Sequence, residues 1–127
     1  MEQKTYTERV EQIGFVAVDS GQIVITDPGY LNEWKDNGFG ESEQVGEYSY
    51  GGACDLTLAD GFDGQLVFES GVGGAGVVSR TGLGDGLYPV YATIVDLPDW
   101  GRRVSKIEIV FLDDLDFDGE DREPMTD

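Results

Sequence analysis

The sequence predicts an all-β fold, an antiparallel sandwich or partly open barrel of about eight short strands with at most one short helix. Its 19 glycines are spread through 127 residues and separate short apolar runs, as turns separate strands. The runs are rich in Val, Ile, Tyr and Thr, which favour strands, and helical periodicity nowhere extends beyond about two turns. The length fits one ordinary domain.

The first half of the chain is predicted to form two hairpins. Its predicted strands are residues 13–18, 22–26, 46–50, 53–59 and 65–70. The turn Asp19-Ser20-Gly21 joins the first two strands, and a turn at residues 60–64 joins the last two. Between the hairpins, residues 30–36 are predicted to form one helical turn and residues 37–46 an acidic loop.

The second half is predicted to contain three strands and an acidic tail. The strands are residues 77–81, 86–97 and 103–112. In the last strand Ile107, Ile109 and Phe111 share one face and Lys106 and Glu108 the other, so we expect it to be half buried. Residues 113–127 hold eight acidic residues and one basic residue and are predicted to be a flexible tail. The expected organisation is a lead-in at 1–12, one β domain at 13–112, and the tail.

Composition excludes several classes of function. Histidine is absent, which rules out Ser/His/Asp and Cys/His nucleophile systems and histidine metal sites within this chain. The single cysteine, Cys54, allows no internal disulfide and is predicted to pack in the core. A net charge of −18 opposes direct binding to nucleic acid or to an anionic membrane. With no secretory signal pattern at its start, the protein is expected in the cytoplasm.

A glycine-rich motif at residues 71–76 matches GxGxxG and follows a predicted strand. A dinucleotide site also requires a helix to begin at that loop. The residues that follow are β-branched and interrupted by glycine. We therefore interpret the motif as a hairpin or bulge.

The tail contains a DxDxDG pattern in which Asp114, Asp116 and Asp118 have the spacing of a calcium loop. Met125 stands at the position of the bidentate Glu, and no helices are predicted on either side. A solvated acidic tail is the competing interpretation. The expectation is no cofactor, with weak binding of a divalent cation as the exception.

Three aspartates, Asp19, Asp27 and Asp85, sit at turns beside predicted strands. Each could accept hydrogen bonds from nearby backbone N–H groups in an Asx-turn. If they converge at one end of the sheets, they could instead bind a cation or act as an acid/base pair. Together with Tyr30 and Tyr88 they form the candidate ligand or cation site.

Three short motifs carry a resemblance to a known family. They are VDSGQ at residues 18–22, DPGY at 27–30 and GDGLYPVY at 84–91, followed by a terminal Ile-x-Ile-x-Phe strand. This pattern resembles a family of small bacterial, archaeal and phage proteins described as a domain of unknown function. The resemblance implies a compact β domain without an established activity. Family members often have Cys where Gly29 stands, which argues against a cysteine-dependent role here.

Three function classes remain open. The sequence favours a small non-enzymatic β domain that binds a small ligand or a protein. The second class is a nucleic-acid mimic that inhibits a DNA-binding protein, since rows of carboxylates can imitate phosphates. The third is a carboxylate-based, metal-dependent hydrolase that uses Asp19, Asp27 and Asp85.

The acidity predicts a dependence of stability on salt. Three lysines stand beside 15 Asp and 11 Glu, a bias typical of proteins adapted to high salt. Screening shortens from about 30 Å at 0.01 M to about 3 Å at 1 M salt, so repulsion within the fold should fall. We expect the melting temperature to rise between about 0.05 M and 2 M KCl, measured by circular dichroism. A flat melting temperature would contradict salt adaptation.

Overall fold

The structure is a computed structural model that describes residues 7–58 and 62–112. The predicted tail, with Asp114, Asp116 and Asp118, lies outside the described residues. Within them the fold is all-β, as predicted: six strands form two three-stranded antiparallel sheets, neither of which closes into a barrel. The strands are β1 Thr7–Val18, β2 Gln22–Ile25, β3 Asp63–Val67, β4 Gly73–Arg80, β5 Gly86–Leu97 and β6 Gly101–Ile109. The helices are a 3-10 helix at Pro28–Glu33 and α1 at Tyr50–Leu58.

The chain divides into two compact units. Among the described residues, unit 1 comprises 7–17 and 86–112 and contains the sheet β1-β5-β6. Unit 2 comprises 18–58 and 62–85 and contains the sheet β2-β4-β3 with both helices. The expected organisation was one domain at 13–112 with a lead-in at 1–12. Residues 7–12 instead form the first half of β1.

The predicted hairpin between residues 13–18 and 22–26 is wrong. β1 pairs in the unit 1 sheet with β5, whereas β2 pairs antiparallel with β4. Gly21 has a φ of +73°, which lets the chain change direction sharply. Its carbonyl accepts a hydrogen bond from Thr81 N at 3.1 Å, so the turn is tied to the end of β4. The chain therefore passes from one sheet to the other at this turn.

The predicted strand 53–59 is also wrong, because residues 50–58 form helix α1. In the predicted strand 46–50, only Glu47 and Ser49 form isolated β-bridges, to Val67 and Lys35. Ser49 caps this helix: its Oγ accepts from Gly52 N at 2.9 Å and its carbonyl from Ala53 N at 2.9 Å. Gly-Gly is a poor helix former by itself. Here the absent side chains permit close packing, since a Cβ on Gly52 would lie 1.9 Å from the Glu47 carbonyl oxygen. Tertiary packing thus overrides local propensity, and the second predicted hairpin is lost with the predicted strand 53–59.

The glycine-rich motif begins in a hairpin turn, as predicted, but its residues 73–76 already belong to β4. β3 and β4 pair antiparallel on either side of it. Phe68 N donates to Val72 O at 2.8 Å, and Gly71 N donates to Phe68 O at 2.7 Å. Gly71 has a φ of +92°, which a side chain would strain.

The core of unit 2 lies between its sheet and α1. Its buried members are Tyr48, Ala53, Leu66, Ala75 and Val78. Half-buried aromatic rings flank it, with Trp34 edge-on to Tyr48 at 4.9 Å between ring centroids. Cys54 is buried nearby, in agreement with its predicted core position.

The close approach of Gly52 to the Glu47 backbone allows the packing of α1 to be tested. We expect Gly52→Ala to lower the free energy of unfolding by at least about 2 kcal/mol, because the new methyl group collides with backbone that cannot move cheaply. Urea denaturation followed by circular dichroism measures this loss.

Gly14→Ala is the matched control, since nothing lies within 4 Å of a Cβ at Gly14. We expect it to change the free energy of unfolding by less than about 0.5 kcal/mol. Equal stabilities of the two variants would contradict the packing described for α1.

Candidate functional site

The three turn aspartates occupy separate turns of unit 2. Asp27 caps the 3-10 helix, and its Oδ1 accepts a hydrogen bond from Gly29 N at 2.8 Å. This is the Asx-turn geometry that the sequence analysis considered for it. Asp19 and Asp85 are exposed. Among residues 7–58 and 62–112, no three His, Cys, Asp or Glu side chains are grouped so that they could hold a metal ion.

The two predicted site tyrosines lie in different units. Tyr30 is half buried in unit 2 and meets Phe68 edge-on at 5.1 Å between ring centroids. Tyr88 is buried in unit 1 and meets Phe111 edge-on at 5.3 Å. Both rings are therefore used in packing against a phenylalanine, an arrangement that stabilises the fold.

A buried carboxylate that the sequence analysis did not single out organises unit 2. Glu47 is only 2% exposed. Its Oε2 accepts hydrogen bonds from Asn37 Nδ2 and Ser49 Oγ, both at 2.7 Å. Its Oε1 accepts from Glu43 N at 3.1 Å and lies 3.5 Å from Lys35 Nζ. Every oxygen of this buried group therefore has partners, as burial of a charge requires.

These partners determine the charge state of Glu47. Burial opposes ionisation, but the hydrogen bonds from Ser49, the Glu43 backbone and Asn37, with the positive charge of Lys35, outweigh it. The pKa of Glu47 is consequently lowered from its ordinary value of 4.5. Burial likewise opposes the charge on Lys35, yet the carboxylates around it raise its pKa. Both groups stay charged at neutral pH.

Three pockets in unit 2 are small. One of about 130 Å³ lies beside the Glu47 and Lys35 pair, and one of about 100 Å³ lies between Trp34 and Tyr50. A third, of about 230 Å³, is lined by residues that include Cys54. Small-molecule sites usually enclose about 300–1,000 Å³. These three pockets are too small for most organic ligands.

The register of unit 1 places apolar side chains together on one face of its sheet. β5 and β6 pair antiparallel, with Ile94 opposite Val104, Ala92 opposite Ile107, and Val90 opposite Ile109. The register shifts between Thr93 and Ile94, which leaves Ser105 as an extra residue in β6. Without this bulge, Val104 and Ile107 would point to opposite faces. With it, they share one face.

Ion pairs show that Arg9 and Glu11 of β1 lie on this same face of the sheet. Arg9 in β1 contacts Asp96 in β5 at 3.5 Å, and Arg102 in β6 contacts Glu11 in β1 at 3.4 Å. Asp96 and Arg102 are themselves cross-strand partners. Because side chains alternate along a strand, the face that carries Arg9 and Glu11 also carries Ile13 and Phe15.

We define the apolar face as the six side chains that the β5–β6 register brings together, with the two that alternation along β1 places on the same side: Val90, Ala92, Ile94, Val104, Ile107 and Ile109, with Ile13 and Phe15. The central strand contributes residues that are buried or half buried. The outer strands contribute large exposed side chains, with 56% exposure for Ile13, 67% for Phe15, 58% for Val104 and 51% for Ile107. The expectation of a half-buried last strand is wrong, because β6 is an edge strand and its residues 101–108 are exposed.

Both units are acidic over the full sequence. Residues 1–17 and 86–127 hold 14 acidic and six basic residues, for a net charge of −8, and residues 18–85 hold 12 acidic and two basic residues, for −10. The described residues of unit 1, which include the apolar face, have five acidic and four basic residues, for −1.

In comparisons with known proteins, no family model, curated protein or solved structure matches this chain. The resemblance inferred from the three short motifs accordingly stays a prediction. Among the described residues, no helix has the length and apolar character needed to cross a membrane.

The Glu47 network generates a prediction about stability and pH. We expect Glu47→Gln to lower the free energy of unfolding by about 1–3 kcal/mol at pH 7, because an amide cannot satisfy the same donors. A carboxyl whose pKa is lowered by folding stabilises the protein above its unfolded pKa, and this contribution fades as pH falls through the folded value. The difference from wild type should therefore be largest above pH 4.5 and shrink below it.

Glu69→Gln provides the control, because Glu69 lies 4.0 Å from the same lysine but its side chain is 87% exposed. Urea denaturation across a pH series should show little effect of this change. A Glu47→Gln effect that is equally small, or that grows on acidification, would contradict the network.

Proposed function

We propose that this protein is a non-enzymatic protein-binding module that uses the apolar face of the β1-β5-β6 sheet. The observation that supports the proposal most directly is the exposure of Ile13, Phe15, Val104 and Ile107 together on that face. Single exposed apolar residues are ordinary on a protein surface, whereas contiguous ones mark interaction sites.

The shape of the face supports the same function. Its eight side chains lie across three strands, about 14 Å, and along about five residues, about 16 Å, so the apolar part covers roughly 200–250 Å². Together with the charged residues beside it, the sheet face covers roughly 400–550 Å². A broad, shallow face of this kind suits another protein better than a small molecule, which needs an enclosing pocket.

The charged residues beside the apolar face favour binding of a partner with complementary charges. Arg9, Glu11, Asp96 and Arg102 form a network of opposite charges on the side of the sheet that carries the apolar residues. Protein interfaces typically have such an apolar centre with a polar rim. The rim disfavours partners that lack complementary charges.

A second candidate function is the binding of a basic protein by unit 2, as a nucleic-acid mimic would do. Both basic residues among the described part of unit 2 are engaged internally. Lys35 lies within 4.0 Å of Glu43, Glu47 and Glu69. Arg80 donates to the Thr57 carbonyl and lies 4.6 Å from the Phe62 ring centroid. Such binding would weaken steeply as salt rises, whereas binding through the apolar face would not.

Site-specific crosslinking tests the proposed function. A photoreactive phenylalanine derivative replaces Phe15 or Ile107 in the full chain, which is then irradiated in the cells that express it. We expect a discrete protein adduct from both positions. The further change Val104→Glu, on the same face, should suppress the adduct because it places a charge in the apolar centre.

The matched control carries the same photoreactive residue at Leu83, which is 81% exposed but lies in unit 2. It should give no adduct of the same mass. Absence of an adduct from Phe15 and Ile107, or an identical pattern from Leu83, would contradict the proposed function.

A further inference from the structure

We propose that the small pocket of unit 2 beside Trp34 and Tyr50 binds a quaternary ammonium group. This pocket, of about 100 Å³, belongs to the unit that does not contain the apolar face, so the inference is independent of the proposed function. Three features carry it: two aromatic side chains in the lining, few polar groups that could bind another kind of ligand, and negative charge around the pocket.

Local pairing brings the two aromatic side chains to one pocket although they belong to different segments. Trp34 is the C-cap residue of the 3-10 helix, and Tyr50 is the first residue of α1. Between them, Lys35 and Ser49 form an isolated parallel bridge. Both bridged residues also contact the buried carboxylate of Glu47 through their side chains. The Glu47 network therefore holds together the segments that carry the two rings.

Most of the remaining lining is apolar or already hydrogen-bonded. Val24 and Val78, which are cross-strand partners on β2 and β4, line the pocket. Gln22 is the one amide in the described lining, and both ends of its side chain are used. Its Nε2 donates to Cys54 Sγ at 3.6 Å, and its Oε1 accepts from Thr57 Oγ1 at 2.9 Å. A ligand that must be held by several hydrogen bonds finds few partners here.

The charge around the pocket favours a cation. None of the described lining residues is Lys or Arg, and residues 18–85 carry −10, which concentrates cations at the surface. Asp19 is exposed next to the lining residue Ser20. The pKa of Tyr50 is raised from its ordinary value of 10.0 by its interaction with Cys54, by burial and by the charge of Asp19. A carboxylate that acts on the Tyr50 hydroxyl also attracts a cation held beside that ring.

The chemistry of the lining selects among cations. Metal ions such as Ca²⁺ and Mg²⁺ require several oxygen ligands, and no carboxylate is among the described lining residues. A primary ammonium group is strongly hydrated and carries three hydrogen-bond donors that need acceptors. A quaternary ammonium group instead presents methyl groups to apolar walls, and the faces of Trp and Tyr rings attract its charge.

The volume of the pocket fits this small group. It equals the volume of about three water molecules, which leaves room for about four or five non-hydrogen atoms. A ring-sized ligand is too large, whereas a nitrogen with its methyl groups fits. Because so few atoms make contact, we expect weak binding, with a Kd on the order of 1–10 mM.

An NMR titration of the purified full chain tests the inference. The probe is tetramethylammonium chloride, with NaCl added to keep the ionic strength constant. We expect saturable shifts at the Trp34 indole and the Tyr50 amide. tert-Butanol is the matched neutral probe, since it has a similar size and shape. It should bind at least about fivefold more weakly, because the rings and the surrounding carboxylates attract a charge and not a methyl group.

Variants separate the contribution of the ring from that of the charge. Tyr50 is 41% exposed, so it can be replaced without emptying the core. Tyr50→Leu should raise the Kd at least about threefold, whereas Tyr50→Phe, which keeps the ring, should leave it within about twofold of wild type. Asp19→Asn should raise the Kd about twofold or more at low ionic strength. Glu69→Gln, the same change of charge outside this pocket, should not raise it.

Two sources could supply the group, a free ammonium compound or the end of a methylated lysine side chain. A short neutral peptide that contains one Nε-trimethyllysine distinguishes them. A Kd at least about tenfold below that of tetramethylammonium would indicate a side chain, and an equal or higher Kd a free compound.

Three outcomes would overturn the inference. They are the absence of saturable shifts up to about 100 mM tetramethylammonium, ten times the weakest Kd expected, binding of tert-butanol as tight as that of the cation, and equal affinities of Tyr50→Leu and Tyr50→Phe. Circular dichroism confirms that each variant is folded. None of these results bears on the apolar face of unit 1, so the proposed function stands or falls by the crosslinking experiment.

Discussion

The Glu47 carboxylate is where three segments of unit 2 meet. Its hydrogen bond from Ser49 fixes the side chain that caps α1, and its hydrogen bond from Asn37 fixes the side chain whose Oδ1 accepts from Gly51 N at 2.9 Å. Lys35 joins the segment after the 3-10 helix to the same carboxylate. The acidic loop before α1 and the glycine-rich first turn of α1 have weak structural preferences by themselves. The buried carboxylate of Glu47 holds both in place. The network functions as a unit because removal of one member leaves buried donors without an acceptor.

The β6 bulge has a comparable role in unit 1. One extra residue, Ser105, changes which side chains face which way, so that the two halves of β6 contribute to the same apolar surface. Beside the bulge, Thr93 Oγ1 is buried without a hydrogen-bond partner among the described residues. An unmet buried hydroxyl costs about 1–3 kcal/mol.

The described residues of the two units differ in what they bury and what they expose. Unit 2 buries a carboxylate, uses its two described basic residues in internal contacts and presents an acidic exterior. In unit 1 the described sheet has nearly balanced charges and presents apolar side chains. Acidity provides solubility and long-range repulsion. The proposed interaction uses the apolar side chains of this sheet.

The sequence by itself determined the all-β fold class, because alternation of apolar residues and glycine punctuation are local signals. Residues 86–97 were predicted as a strand with the bounds that β5 has, and the hairpin predicted at the glycine-rich motif is present, although residues 73–76 already belong to β4. Helix α1 could not be predicted, since its Gly-Gly start is favourable only because another segment packs closely against it: a Cβ on Gly51 would lie 2.5 Å from the Gly38 carbonyl oxygen. Sheet membership could not be predicted either: β1 and β2 are adjacent in sequence but pair with strands more than 50 residues away. The apolar face was likewise decided by tertiary structure, because it depends on a register shift between strands that no single strand encodes.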